Sequence, residues 1–310
     1  MNKIAWLPYA DAAEAAEKLG GIPEGVTVVP FLDVANLPGD PAEVNFLVAP
    51  YLTGSASLDR AAEMTNLEVV QTQTAGYEDM LPKVPAGVRL ANAPGVHDTA
   101  TAELAVGLAI AQSRGIDEDA RAQLTGTWNQ RRSFSVADRR ILLIGVGNVG
   151  EAIAERFAVL EPASITQVGR TAREGVHAFT ELDELLPQAD IVILACPLNE
   201  QTHHLLDARA LALLPDDALV VNVARGPVLD TEALLAEKGR IRAALDVTDP
   251  EPLPPDHPLW TAPRVLITPH VGGAADCFWP RRDAFLARSL RAWTAGETLP
   301  GEVNRPDPGR

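Results

Sequence analysis

Ile141-Leu142-Leu143-Ile144 is a run of four apolar residues that ends directly in Gly145-Val146-Gly147-Asn148-Val149-Gly150. A short apolar run bounded by glycine predicts a strand buried on both faces. The segment that follows, Glu151-Ala-Ile-Ala-Glu-Arg-Phe-Ala158, switches to a helical period with one apolar face. Upstream, Val26–Val29, Asn45–Ala49, Leu67–Gln71 and Val88–Ala91 read as short strands, and Asp11–Leu19 and Ser57–Met64 carry helical patterning. Asn92-Ala-Pro-Gly95 is turn chemistry, after which Asp98 or Thr99 caps an Ala-rich apolar helix. The polar stretch 126–133 reads as a surface connection, its Arg131 and Arg132 as solvated charge.

Downstream, strands are predicted at Ser164–Val168, Ile191–Ala195, Ala218–Val223, Ala243–Val247 and Val265–Ile267, with a helical segment at Glu181–Leu186. A last helix runs from about Arg281 to Ala295, and the tail from Pro300 to Arg310 is proline-rich. Alternation of this kind predicts an α/β chain with parallel sheets covered by helices on both faces. The proline-rich stretch 249–263 is too long for a simple turn and reads as an ordered functional loop.

Composition narrows the function classes. At 310 residues the chain is long enough for two domains, and 46% hydrophobic with 22% charged residues is ordinary globular usage. A net charge of −16 argues against nucleic acid and anionic membranes as partners. An anionic substrate must then be drawn in by local positive groups. Cys196 and Cys277 lie far apart and fit no metal spacing, so no metal site is expected and a reducing compartment is. The first residues show no leader signature and no apolar run approaches the roughly 18 residues of a membrane helix, so a cytoplasmic location is expected.

The glycine run carries candidate chemistry. Between a strand and a helix, Gly145 would make the turn, Gly147 would let backbone approach a pyrophosphate, and Gly150 would let the helix pack closely on the strand. A glycine-rich turn of another α/β domain, or a methyltransferase-type site, uses the same spacing. In a chain that prefers NAD, an acid about 20 residues on bonds the ribose 2′-hydroxyl. Here that position reads Gly169-Arg170-Thr171, with no acid. A guanidinium and a hydroxyl there suit a 2′-phosphate, so NADPH is expected over NADH, NAD remaining possible. Three polar residues also follow predicted strands: Arg225, Glu251 and His270. Taken singly, these fit a surface arginine, a solvated carboxylate and a structural histidine equally well.

In this order, the motifs resemble the D-isomer-specific 2-hydroxyacid dehydrogenase family over nearly the whole chain. The matching stretches are Asn92-Ala-Pro-Gly95, Thr101-Ala-Glu103, Trp128, Gly145 to Gly150, Ala189 to Thr202, Asn222-Val-Ala-Arg-Gly226, Leu245-Asp-Val with Glu251-Pro-Leu, and Thr268-Pro-His-Val-Gly-Gly273. The closest branch is the NADPH-dependent glyoxylate/hydroxypyruvate reductases. The resemblance implies two doubly wound parallel-sheet domains: a Rossmann cofactor domain (98–280) inserted into a flavodoxin-like substrate domain (1–97 and 281–310). It implies an active site in the cleft between them and a homodimer.

It further implies His270 as general acid/base, Glu251 as its carboxylate partner and Arg225 as the clamp on the oxygens of a small 2-oxo acid. An imidazole near its ordinary value of about 6.5 titrates in the useful range, and a forked guanidinium orients as well as attracts. The backbone N–H groups of Ala75 and Gly76 would hold the substrate carboxylate. Beside Gly145, Gly147, Asn148, Val149, Gly150, Gly169, Arg170 and Thr171, the family's cofactor contacts fall on Thr101, Cys196, Pro197, Thr202, Ala224 and Asp246. Tyr51, Leu52, His97, Trp279 and Arg282 are candidates for substrate selectivity. Thr248 departs from the bulkier residue usual after Leu-Asp-Val, and a glutamate partner for the histidine argues against the formate dehydrogenase branch. The alternatives are a dehydrogenase for a bulkier 2-oxo acid, or a dinucleotide-sensing corepressor of the same fold.

Overall fold

The computed structural model describes residues 2–51 and 53–303. The selectivity candidate Leu52 and most of the proline-rich tail lie outside the described residues. The chain divides into two compact units, Met1–His97 with Asp276–Arg310, and Asp98–Ala275.

The first unit is built on five parallel strands: β1 (Lys3–Leu7), β2 (Val26–Pro30), β3 (Val44–Val48), β4 (Val69–Gln71) and β5 (Arg89–Ala91), in the order β2-β1-β3-β4-β5. Its helices are α1 (Ala12–Leu19), capped by the Asp11 carboxylate, and the C-terminal Phe278–Ala295. Side chains alternate across the sheet. Leu7, Phe46 and Val48 meet Leu286, Leu290 and Trp293 of the C-terminal helix on one face. Trp6, Leu47 and Val70 pack with Leu58, Ala61 and Met64 on the other. That period of two is the pleat of a sheet covered on both sides.

The second unit contributes α2 (Asp98–Arg114), α3 (Ile116–Gln123), β6 (Arg140–Ile144), α4 (Asn148–Ala158), β7 (Ser164–Gly169) and β8 (Val176–Ala178). It continues with α5 (Leu182–Leu185), β9 (Ile191–Leu194), α6 (Ala208–Leu213), β10 (Leu219–Asn222), α7 (Thr231–Ala236), β11 (Arg242–Leu245) and β12 (Val265–Ile267). The C-terminal helix of the first unit is thus α8. The seven strands run in the order β12-β11-β10-β9-β6-β7-β8, with every strand pair parallel. Ile141, Leu143, Ile191 and Ile193 face α2 and α4 through Ala105, Leu108, Ile153 and Phe157. Leu142, Ile144, Val192 and Leu194 face α6 and α7. Burying a side chain the size of Phe157 is worth roughly 1.5–3 kcal/mol, which is what holds α4 on the sheet. Strand order reverses between β6 and β9, and in open α/β sheets ligands bind outside the strand ends at that reversal.

Several elements differ from the sequence expectation. Ser57–Met64 is two 3₁₀ turns, Gly54–Leu58 and Ala61–Glu63, with no α-helix. Its buried apolar residues, Leu58, Ala61 and Met64, recur every third position, which fits three residues per turn better than 3.6. β1, which opens on Lys3, and the three-residue edge strand β8, with His177 at its centre, were not among the expected strands. The apolar helix after Asn92 stops at Arg114, because Gly115 adopts φ +66° and separates α3. α8 starts at Phe278, ahead of Arg281, since Pro280 is tolerated in a first helical turn. By compactness the second unit ends at Ala275 and the first resumes at Asp276. No helix among the described residues is long and apolar enough to cross a membrane, and none of them form a metal-ligating cluster.

Candidate active site

The three glycines do different steric work. Gly145 turns the chain off β6 at φ +118°, and a Cβ there would come within 2.4 Å of the Ala195 carbonyl at the end of β9. A Cβ on Gly150 would sit 2.0 Å from the Gly145 carbonyl oxygen, so only glycine lets α4 approach the turn. Gly147 faces open space, with nothing within 4 Å of where its Cβ would lie. As N-cap of α4 it supplies no side-chain cap, so the N–H groups of the first turn, at Asn148, Val149 and Gly150, point out of the helix with its positive dipole end. This cradle suits the pyrophosphate of a dinucleotide. Cys196 is buried against Gly145, and burial pushes its thiol up to about 11, which leaves it an inert wall. Pro197 and Thr202 shape the same strand end: the buried Thr202 hydroxyl donates to the Pro197 carbonyl at 2.6 Å and accepts from Asn199 N–H. Gly169, Arg170 and Thr171 end β7, with both polar side chains exposed.

Arg225, Glu251 and His270 follow β10, β11 and β12 at their C-terminal ends. The Arg225 loop is shaped by buried Asn222, whose Oδ1 accepts from Ala224 N–H at 3.0 Å and whose Nδ2 donates to the Arg225 carbonyl at 3.0 Å. Arg225 Nη1 donates to the Ala224 carbonyl at 2.7 Å, and no carboxylate pairs with it among the described residues. A Cβ on Gly226 would lie 1.9 Å from the Thr248 carbonyl oxygen, so the Arg225 loop rests directly on the loop that carries Glu251. There Thr248 Oγ1 donates to the Pro250 carbonyl at 2.9 Å and Thr231 Oγ1 to the Asp249 carbonyl at 3.1 Å.

His270 is held in an unusual backbone state, φ +52° in a non-glycine residue. Asp246, 3% exposed, is what holds it there. Its Oδ1 accepts from Thr268 Oγ1 at 2.7 Å and Val271 N–H at 2.9 Å, and its Oδ2 from Gly272 N–H at 2.8 Å. Its backbone carbonyl accepts from His270 N–H at 2.8 Å. Polar atoms otherwise costly to bury thus wrap the 268–272 turn around one carboxylate. The turn aims His270 Nδ1 at Glu251 Oε1, in direct hydrogen-bond contact. An ionised carboxylate only accepts, so Nδ1 carries the proton and Nε2 is left for another partner.

The electrostatics follow from that contact. The bond to Glu251 holds His270 above the usual imidazole range, against the opposing effect of desolvation, with the charges of Glu251 and Asp246 adding and that of Arg225 subtracting. The same bond holds Glu251 below the usual carboxylate range. The arrangement is a proton-bearing imidazole beside a free guanidinium, which can protonate and polarise a carbonyl oxygen. Thr101 lies against Gly272, and Ala224, next to Arg225, is buried. Asn222 and the positioning roles of Asp246 and Thr248 are not legible as motif chemistry, because their partners are backbone atoms of the loops they shape.

The remaining candidates belong to the first unit. After β4, Thr72 Oγ1 and Thr74 Oγ1 bond the Thr74 and Gly76 carbonyls at 2.7 Å each, and Asn92 Nδ2 bonds the Ala75 carbonyl at 2.7 Å. The N–H groups of Ala75 and Gly76 bond nothing among the described residues. Tyr51, His97, Phe278 and Trp279 form an aromatic cluster: the Tyr51 hydroxyl is 3.2 Å from His97 Nε2, and the His97 and Phe278 rings stack at 4.8 Å. Trp279 meets the Phe278 ring edge-on at 4.9 Å. Arg282 is buried between the Tyr9 and Trp279 rings and bonded to Asp283, so its charge is already neutralised.

Residues 106–272 match the family model for the D-isomer specific 2-hydroxyacid dehydrogenase NAD binding domain. A glyoxylate reductase from Thermofilum pendens is 35% identical, over 77% of this chain and 76% of the relative. Human glyoxylate reductase/hydroxypyruvate reductase is 31% identical over 77% of each chain. Among solved structures, a D-isomer specific 2-hydroxyacid dehydrogenase from Xanthobacter autotrophicus Py2 in complex with NADPH and MES superposes with a TM-score of 0.78, at 28% identity and 98% coverage of both chains. The NADPH-dependent glyoxylate/hydroxypyruvate reductase of Sinorhizobium meliloti, in complex with NADP and malonate, gives 0.79 at 25% identity, over 98% of this chain and 97% of that one. The chain therefore belongs to the D-isomer specific 2-hydroxyacid dehydrogenases, oxidoreductases that use a nicotinamide dinucleotide, and is a 2-oxo acid reductase by class.

Proposed function

We propose that this chain is an NADPH-preferring reductase of small 2-oxo acids of the glyoxylate or hydroxypyruvate type, with His270 as the proton donor. The observation that carries the reading is the His270–Glu251 pair, raised toward imidazolium and set near the charge of Arg225. The bound dinucleotide supplies a hydride to C2 of the substrate. His270 Nε2–H gives its proton to the oxygen that becomes the alcohol, and Glu251 stabilises the imidazolium until transfer. Arg225 binds the carbonyl and carboxylate oxygens through its fork, a geometry one ammonium point charge does not supply. The N–H groups of Ala75 and Gly76, after β4 of the first unit, are donors of the kind a carboxylate accepts.

Arg170 and Thr171 at the β7 end, where an NAD-selective acid is missing, support NADPH. The relatives named as glyoxylate reductases support the small substrate. The aromatic cluster of Tyr51, Phe278 and Trp279, between the segment after β3 and the first turn of α8, favours a second reading in which the substrate carries a bulkier side chain. A homodimer is proposed on the exposure of Leu124 and of Trp128, 93% open to solvent, on one segment after α3. Both cysteines are free, in keeping with a reducing, cytoplasmic setting. The test is initial rates over a panel of 2-oxo acids with NADPH and NADH side by side. The reading expects the highest kcat/KM for glyoxylate or hydroxypyruvate with NADPH; equal turnover with NADH, or a clear preference for branched or aryl substrates, overturns the corresponding part.

A further inference from the structure

We propose that the second unit carries, at the N-terminal ends of its strands, a binding site for a small multivalent oxyanion of the phosphate or sulfate class, built by Arg242, Arg139 and Ser113 around the Phe134 ring. Arg242 opens β11, Arg139 precedes β6 and Arg264 precedes β12. The strands of this sheet are parallel, so these three arginines share one end of it, whereas Arg225, Glu251 and His270 follow the other end. The glycine loop also lies at that other end, after β6. The site is therefore separate from both the cradle and the candidate catalytic residues.

Arg242 is 6% exposed, and its guanidinium lies 4.2 Å from the centre of the Phe134 ring. Its Nε donates to the Asp217 carbonyl at 2.9 Å, but Nη1 is buried without an acceptor, and no carboxylate pairs with the group among the described residues. The carboxylate of Asp217 is held by Arg264 at 2.7 Å. Arg139 is half-buried 5.9 Å from the same ring and donates to the Ser135 carbonyl, again with no carboxylate in contact. Three guanidinium groups thus stand against one carboxylate. Burial, with the charge of Arg264 adding, pushes Arg242 down to about 10, which leaves it charged at neutral pH. Ser113 Oγ, at the end of α2, is likewise buried without a partner, and the Ser113 carbonyl accepts from Phe134 N–H at 3.1 Å. Buried polar atoms are bonded nearly without exception, and an unpaired buried charge is the costliest case. A water molecule suits the hydroxyl but leaves the surplus charge unbalanced. An oxyanion supplies acceptors in several directions and the charge as well, through the stronger charge-assisted bonds.

The test is thermal unfolding of the full chain with inorganic phosphate titrated against sodium chloride of equal ionic strength. Saturating NADPH is present throughout, so that phosphate does not compete for the glycine-loop cradle. Arg242→Met and Arg139→Ala are measured beside the unsubstituted protein. The expected result is a saturable rise in Tm, about 2–5 °C at ten times the phosphate Kd, with sulfate acting alike and chloride not. Arg242→Met should lose this response while its phosphate-free Tm is kept or raised, because the substitution removes an unpaired buried charge. Arg139→Ala should weaken the phosphate Kd about tenfold. A response of the unsubstituted chain no greater than that to chloride overturns the site, and a lower phosphate-free Tm in Arg242→Met then marks a structural arginine held by Phe134. A response unchanged in Arg242→Met places phosphate elsewhere and also overturns it. Should Arg242→Met not fold, Arg139→Ala decides: an unchanged phosphate Kd counts against the site and a weakened one for it.

Discussion

Replacing Asp246 by asparagine changes one atom of a buried carboxylate that accepts three hydrogen bonds. An amide keeps one acceptor oxygen. Placed at Oδ1 it preserves the bonds from Thr268 and Val271, and leaves an NH₂ facing the Gly272 N–H across 2.8 Å. In the flipped orientation Gly272 keeps its acceptor, the Thr268 hydroxyl can turn to accept from the NH₂, and Val271 N–H loses its partner, so either orientation loses one bond. Loss of one bond to a charged group costs about 1.5–3 kcal/mol, or roughly one to two orders of magnitude in the equilibrium that holds the 268–272 turn. The turn is what keeps His270 at φ +52°, so the loss falls on its orientation toward Glu251. Removing a negative charge that raises His270 also moves its titration to lower pH.

Asp246→Asn should therefore lower kcat/KM at least tenfold, lower Tm by about 3–12 °C, and leave NADPH affinity within a fewfold. Steady-state rates against pH, thermal unfolding and NADPH fluorescence titration read the three quantities. Unchanged rates and Tm would refute the account of the turn. A large loss of NADPH affinity with Tm unchanged would place Asp246 in contact with cofactor instead.

Two further substitutions test neighbouring parts. Glu251→Gln removes the largest effect that raises His270, so the high-pH limb of the reduction rate should move to lower pH, as a pH–rate series will show. The sign for stability runs the other way at the two ends. A raised histidine contributes fully below its unfolded value of about 6.5 and loses that contribution as pH rises through its folded value. A depressed glutamate contributes above about 4.3 and loses it as pH falls, so the pair helps most between those limits. With side chains 47% and 38% exposed, that help is small. Gly226→Ala drives a Cβ into the Thr248 carbonyl and should destabilise the second unit by more than the usual 1–3 kcal/mol of overpacking, seen as a lower midpoint in urea.

Much of this molecule was legible along the chain because its second sheet is buried on both faces. β6 and β10 are built on runs of three or four apolar residues that end in a glycine turn and at Asn222, which places candidate residues at strand ends from the residue pattern alone. Elements whose burial is set by neighbours were not. β1 opens on Lys3, and β8 is a three-residue edge strand with a polar residue at its centre. Ser57–Met64 shows apolar spacing that helix and 3₁₀ turn share closely. In the site, Arg225, Glu251 and His270 could be named from residue type, but what holds them could not. Asn222, Asp246 and Thr248 act on backbone groups, and a sequence gives no sign of which N–H a buried side chain will meet.

The assignment of His270 as proton donor is tested by His270→Asn in single-turnover reduction of glyoxylate, with NADPH affinity measured on the same preparation. Asparagine fills similar space and can still face Glu251 but carries no transferable proton. The account predicts a fall in NADPH oxidation of about 10²-fold or more with cofactor binding intact. Oxidation at near the original rate would contradict it.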